Sequence, residues 1–224
     1  MVDGEARRIR FHDYAEIFKI PGLYEQLFAT MLECRSPEVV IGLLAEALTG
    51  AGEDPAGLRV LDFGAGNGMV GEQVRAIGAK VVVGSDLLPE ARDAALRDRP
   101  EVYTDYIAAD ITALSDEQKA RVRDARLNAM TCVAALGFDD IPPAAFAGAF
   151  NAIAETGWVA FNLRDRYVDV PGAFARLLER MTAEELLTDV VQQRYRHRLS
   201  VAGEPLEYVA LVARKTGHIP ADWV

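Results

Sequence analysis

An apolar run that ends in an acid and then breaks into alternating glycines, VLDFGAGNG at residues 60–68, sharply limits what this chain can fold into. Leu58, Val60, Leu61 and Phe63 are the residues of a short buried strand, and MVGEQVRAIG after the glycines reads as a helix. A strand, a tight glycine turn and a helix N-terminus gather unpaired backbone N–H groups beside the carboxylate of Asp62. Amides and a carboxylate at one bend suit a ligand with an anionic and a cationic end, and an amino acid headgroup is one. A mere turn, with glycine supplying positive φ, is the alternative reading of the same residues.

Two further strand ends repeat the pattern. KVVVGSD at residues 80–86 is a β-branched run ending in Asp86, with the helical LLPEARDAALR behind it. An acid closing the second strand of a doubly wound sheet, about 20 residues beyond the glycines, accepts both hydroxyls of a ribose. YIAADIT at residues 106–112 closes a third strand at Asp110, whose carboxylate suits an adenine amino group while Leu87 and Ile111 cover the ring. Any one of these acids also reads as a surface or N-cap aspartate. Three successive strand ends finishing in Asp do not reduce to that.

Over residues 55–215 the chain resembles the class I S-adenosylmethionine (SAM)-dependent methyltransferases. VLDFGAGNG looks like their first motif, GSDLLPEA like the second and AADIT like the third, with LNAMTCVAALGF and AETGWVAFNLR in the places of the fourth and fifth. The resemblance implies an α/β fold: a doubly wound, mostly parallel, seven-stranded Rossmann-like sheet with a C-terminal antiparallel β-hairpin and N-terminal helices. SAM lies across the carboxyl ends of its strands, and S-adenosylhomocysteine (SAH) is the product. The cofactor set is then Asp62, Gly64, Ala65, Gly66, Asn67, Gly68, Asp86, Leu87, Asp110 and Ile111, with Cys132 and Val133 lining the pocket after strand four. Asn67 departs from the family's usual Thr, Ser or Cys, which is tolerated because the backbone does the binding there. Asn128 stands where Asp is common, and Glu155-Thr156-Gly157 replaces a Pro-Gly-Gly turn. Leu136-Gly137-Phe138 offers no histidine after strand four, which removes an obvious candidate for the chemistry.

Along the chain, the segment from Tyr14 to Leu48 is helical in pattern, interrupted at Pro21-Gly22 and at Ser36-Pro37, where the serine caps and the proline takes the first helical position. The linker AGEDPAG then divides an N-terminal helical cap, residues 1–50, from a SAM-binding core, residues 51–224. Further on come a helix at 144–155, a strand at 158–163 and a helix at 172–181. Residues 191–199 alternate, with Val191, Tyr195, His197 and Leu199 on one face and Gln192, Arg194, Arg196 and Arg198 on the other. Gly203-Glu204-Pro205 turns the chain into a last strand at 206–214. In the implied fold the arginine strand is a sheet edge guarded by charge, and His197 is a packed residue.

Composition excludes several classes. The 224 residues fit one α/β domain, and a net charge of −10 argues against a nucleic-acid partner. No apolar run approaches the roughly 18 residues of a membrane span, and MVDGEARRIR is too charged for a secretory signal. Cys34 and Cys132 lack CxxC spacing, and no His/Cys cluster suggests a metal, so a reduced, cytoplasmic protein without metal is expected.

Gly66, Gly68 and Gly71 also spell GxGxxG, with Asp86 at the distance expected for a dinucleotide, so an NAD(P)-dependent oxidoreductase is the competing reading. Against it, the glycine pattern starts well beyond the strand end, and Asp62 would face a pyrophosphate. A catalytically inactive SAM-binding scaffold is the third reading. In methyl transfer the sulfonium supplies reactivity and the protein supplies alignment, worth about 7–11 kcal/mol. A base adds roughly 10²–10⁴-fold where the acceptor must lose a proton. Candidates for that role are His12 and Tyr14; Tyr24, Phe138, Asp139, Arg164 and Asp165 are placed to touch substrate. Strand four lacks the Asn/Asp-Pro-Pro-aromatic ending of base methylation, so a small-molecule acceptor is expected.

Overall fold

The computed structural model describes residues 8–136, 141–164 and 172–224. Among them the helices are α1 (Tyr14–Phe18), α2 (Leu23–Glu25), α3 (Ser36–Gly50), α4 (Met69–Ala76), α5 (Pro89–Asp98), α6 (Asp116–Asp124), α7 (Pro143–Asn151) and α8 (Ala173–Ala183). The strands are β1 (Arg59–Phe63), β2 (Val81–Asp86), β3 (Asp105–Ala108), β4 (Ala129–Cys132), β5 (Trp158–Arg164), β6 (Leu187–Leu199) and β7 (Pro205–Lys215). They form one sheet in the order β3-β2-β1-β4-β5-β7-β6. Neighbours among β1 to β5 are parallel, and β7 pairs antiparallel with both β5 and β6. The expected doubly wound sheet and terminal hairpin are therefore present.

Both faces of the sheet are covered, which explains why its strands are apolar almost without interruption. Leu61, Val83, Met130 and Phe161 pack with Phe146 and Phe150 of α7 and Phe174 of α8. Their chain neighbours Val60, Val82, Ala129 and Ala160 point the other way, onto Val40 and Leu44 of α3 and Val70 and Val74 of α4. The linker that follows residue 50 joins two elements of this layer, α3 and β1. Helix α3 belongs to the sheet's covering, and the part that builds a cluster of its own is Ile17, Phe28 and Leu32 with Phe11, Tyr14 and Tyr24. Among the described residues no helix is long and apolar enough to cross a membrane.

Two local expectations are corrected. Strand β6 is the edge, but its register slips between Arg196, opposite Glu207, and Arg198, opposite Leu206. This bulge buries His197 and Arg198 together, and the Arg198 guanidinium lies 5.4 Å from the centre of the Phe11 ring instead of facing water. Ser36 does not cap α3: no side-chain cap bond forms there. Its Oγ is 2.6 Å from Tyr195 Oη and 2.5 Å from His197 Nδ1, in a buried polar cluster. The helix start is fixed by the proline and by burial.

Burial, reinforced by the nearby Arg198 charge, holds His197 down at about 3, against about 6.5 in an unfolded chain. Between these values the unfolded chain carries a proton that the folded protein refuses, so the contribution of His197 to stability falls as pH drops below 6.5, by about 1.4 kcal/mol per unit. We expect His197→Asn to gain urea stability relative to the wild type as pH falls from 6.5 to 5, over and above the opposite contribution of other buried groups. A variant as acid-sensitive as the wild type would show that another group is responsible.

Candidate active site

The chain leaves β1 at Phe63 into three glycines with positive φ, Gly64 (+74°), Gly66 (+53°) and Gly68 (+93°). These are values that side chains with a Cβ disfavour. Space is short as well: a Cβ on Gly64 would sit 2.9 Å from the Ala135 Cβ, and one on Gly66 would sit 3.3 Å from Phe18 Cζ. Asp86, at the end of β2, holds this turn from the side. Its Oδ2 accepts the Gly66 N–H at 2.9 Å and its Oδ1 accepts the Leu88 N–H at 3.0 Å. Burial raises the Asp86 carboxyl above its ordinary range, and those amides oppose the rise. Tyr106 donates its hydroxyl to the Gly66 carbonyl at 2.8 Å, fixing the same peptide from the other edge.

Asp62 sits beneath the turn, not in the cleft. It is 1 % exposed, accepting from Tyr103 Oη at 2.7 Å and from Thr131 Oγ1 at 2.8 Å. Desolvation, the dominant influence, lifts its carboxyl to about 6 despite both donors. A group raised in this way contributes stability below its unfolded value that is lost as pH climbs through 6, opposite in sense to His197. The sequence placed Asp62 beside amides open to a ligand. Its oxygens are instead taken up by Thr131, from the fourth motif, and by Tyr103, which lies outside every motif and had no signal to announce it.

Above the turn, along the carboxyl ends of β1, β2 and β4, lies a cavity of about 500 Å³. Of the expected cofactor residues it brings together Gly64, Gly66, Asp86, Leu87, Asp110, Ile111 and Val133. Asp110 follows the end of β3 and caps a single 3₁₀ turn, accepting from both the backbone N–H and the hydroxyl of Thr112 at 2.9 and 2.7 Å. Those bonds lower its pKa. It is thus a cap and a cleft residue at once.

Four more of the expected cofactor residues, like Asp62, are not on the cavity lining. Ala65 packs on Ala95 and Tyr106. Asn67 is buried and donates from Nδ2 to Glu25 Oε1 at 2.8 Å, an oxygen that also accepts from Arg99 Nη1 at 2.6 Å. Gly68 serves as the left-handed N-cap of α4. Cys132 is fully buried within the α7–α8 side of the core, where burial pushes its thiol far up. The pocket wall after β4 is made instead by Val133, Ala134 and Ala135.

The roof of the cavity comes from the N-terminal segment, with His12, Tyr14, Phe18 and Tyr24 among its lining. His12 Nδ1 and Tyr14 Oη are 3.1 Å apart, so an imidazole and a phenol meet at the cleft. Phe18, not anticipated from sequence, stacks on Tyr24 with ring centres 5.0 Å apart. Arg164 ends β5 opposite Tyr208; Phe138, Asp139 and Asp165 lie outside the described residues. Among the described residues no group of three or more His, Cys, Asp or Glu side chains could hold a metal ion.

A comparison with family models matches residues 35–200 to the methyltransferase domain. The chain belongs to this family. It is a SAM-dependent methyltransferase, of the class EC 2.1.1, using SAM as donor and releasing SAH. Solved structures bear out the fold. Magnesium protoporphyrin IX methyltransferase from Synechocystis PCC 6803 with bound SAM is 15 % identical, with a TM-score of 0.53 over 80 % of this chain and 79 % of that one. The N-methyltransferase NodS from Bradyrhizobium japonicum WM9 is 17 % identical, with a TM-score of 0.52 over 80 % and 96 %. An rRNA methylase from Streptococcus thermophilus is 17 % identical, with a TM-score of 0.51 over 81 % and 97 %. No curated protein sequence matches the chain. The geometry fits the donor. Two glycines whose Cβ positions are already crowded leave backbone exposed to the cleft, a strand-end carboxylate stands beside them, and apolar Leu87 and Ile111 stand on the lining with Asp110.

Proposed function

We propose that this methyltransferase acts on a small, neutral or cationic molecule admitted beneath the N-terminal helices. The observation that carries this reading is the aromatic roof. His12, Tyr14, Phe18 and Tyr24 narrow the cleft to about 500 Å³, a volume in the range of small-ligand sites and not of a groove that tracks a polymer. The acidic lining, among the described residues, is Asp13, Asp86 and Asp110. Asp13, the carboxylate of this lining left over from the donor's contacts, favours a neutral or cationic acceptor over an anionic one.

In this reading Asp86 takes the ribose hydroxyls, Asp110 the adenine amino group, and Leu87 and Ile111 the ring, while Gly64 and Gly66 offer backbone to the amino acid end. Asp62 acts from below, its charge favouring the ammonium without touching it, and Val133 borders the acceptor side. Bound SAM supplies a methyl group made electrophilic by its sulfonium. His12 and Tyr14 take up the acceptor's proton where one must leave. The N-terminal helices, residues 1–50, form the cap, Tyr24 and Arg164 are substrate contacts, and two free thiols suit a reducing cytoplasm.

SAM or SAH at a hundredfold excess over Kd is expected to raise the melting temperature by about 5–10 °C, whereas NAD and NADP leave it unchanged. The opposite ranking would return the glycine turn to the dinucleotide reading. For the acceptor, the enzyme is incubated with methyl-labelled SAM and a fractionated cell extract. Label is expected in neutral or cationic compounds of low mass; label confined to RNA, to protein or to anionic metabolites would overturn the small-acceptor proposal.

A further inference from the structure

We propose that Asn162 is a positioning residue for methyl transfer, clamping Ala134 in a left-handed backbone conformation that shapes the cleft wall. The inference rests on the assignment of the cleft above as the SAM site.

Strand β4 pairs with β5 as far as Cys132, opposite Phe161, and then peels away. One residue further along β5, the side chain of Asn162 takes over from the ladder: its Oδ1 accepts the Ala134 N–H at 2.7 Å. Ala134 has a φ of +59° and lines the cleft. Alanine disfavours that conformation by roughly 5–30-fold, so something must hold it. The adjoining Ala135 packs at the face of Gly64, where no Cβ fits. Release of Ala134 therefore moves the wall against the glycine turn.

The clamp is itself held in one orientation. Asn162 is fully buried, and its Nδ2 donates to Tyr195 Oη at 2.7 Å and to Ser36 Oγ at 3.1 Å. Ser36 in turn is within 2.5 Å of His197 Nδ1. With His197 neutral, one consistent proton order satisfies every member: the amide donates to both hydroxyls, Tyr195 to Ser36, and Ser36 to the imidazole. Turning the amide over would set its NH₂ against the Ala134 N–H, so Oδ1 faces the cleft wall. Helix α3, strand β5 and the edge strand β6 thus fix a single backbone amide at the mouth of β4.

The test is SAM affinity by titration calorimetry, measured with urea stability on the same samples. Asn162→Ala is expected to weaken SAM at least tenfold, and Ala134→Gly alone less than threefold. The double variant is expected to regain affinity to within about threefold of wild type, because glycine enters positive φ unaided. That rescue separates positioning from general support of the core, since glycine at 134 does nothing for the orphaned Ser36 and Tyr195. Unchanged affinity in Asn162→Ala, or a double variant as weak as the single, would overturn the proposal. Should Asn162→Ala not fold, Ala134→Val decides, as a β-branched residue resists this φ with the clamp intact; SAM bound there as in wild type overturns it equally. A wild type that fails to bind SAM sinks the site assignment instead.

Discussion

Asp86→Ala will weaken SAM binding at least tenfold. The Asp86 carboxylate already accepts two backbone N–H groups, from Gly66 at 2.9 Å and from Leu88 at 3.0 Å. Hydrogen bonds to a charged group contribute roughly 1.5–3 kcal/mol each, and 1.4 kcal/mol is a factor of ten. Loss of one ribose contact is therefore enough for the stated effect. Release of the Gly66 peptide from its +53° turn adds to it. Asp86→Asn keeps one acceptor oxygen and is expected to fall between the two. Calorimetry that finds Asp86→Ala binding SAM as tightly as wild type would remove Asp86 from the site.

The largest loss of stability is expected at the opposite end of the sheet, from Lys215→Ala. Lys215 ends β7 and is 1 % exposed. Its Nζ donates to the carbonyls of Phe150 and Ile153 at 2.8 and 2.7 Å, where α7 has run out of backbone donors. Burial lowers its pKa to about 8, which leaves the ammonium charged at neutral pH. The cation faces the negative end of a helix dipole and stands 5.0 Å from the Phe150 ring centre. Alanine leaves two buried carbonyls unpaired and a void, a combined cost of about 4 kcal/mol. Lys215→Met fills the space but not the bonds, at about 2 kcal/mol. Urea unfolding that places Lys215→Ala within 1 kcal/mol of wild type would show that α7 ends without need of the ammonium.

Neither prediction is equally legible in the sequence. Asp86 was marked by its neighbours in the chain: a β-branched run before it, a proline-started helix after it, glycines upstream. The same local signals located β1, β2, the glycine turn, and the Asp110 and Ile111 side of the cleft. They failed where a partner arrives from far along the chain. Tyr103 reaches Asp62 across 41 residues, Asn162 reaches Ala134 across 28, and His197 reaches Ser36 across 161. Lys215 looked like the residue after a strand, because nothing near it in sequence announces the helix end it serves. Alternation misplaced Arg198 for a related reason: one bulge reverses the facing of every residue beyond it.

The sequence by itself determined the order of elements, the turn that needs glycine, and the acids that close the strands, since backbone sterics and hydrophobic periodicity act between close neighbours. Tertiary structure alone decided which acid faces the cleft and which is sealed beneath it. That choice depends on the hydroxyls and amides that other strands bring within hydrogen-bond reach, and burial then sets the charge each carboxylate carries.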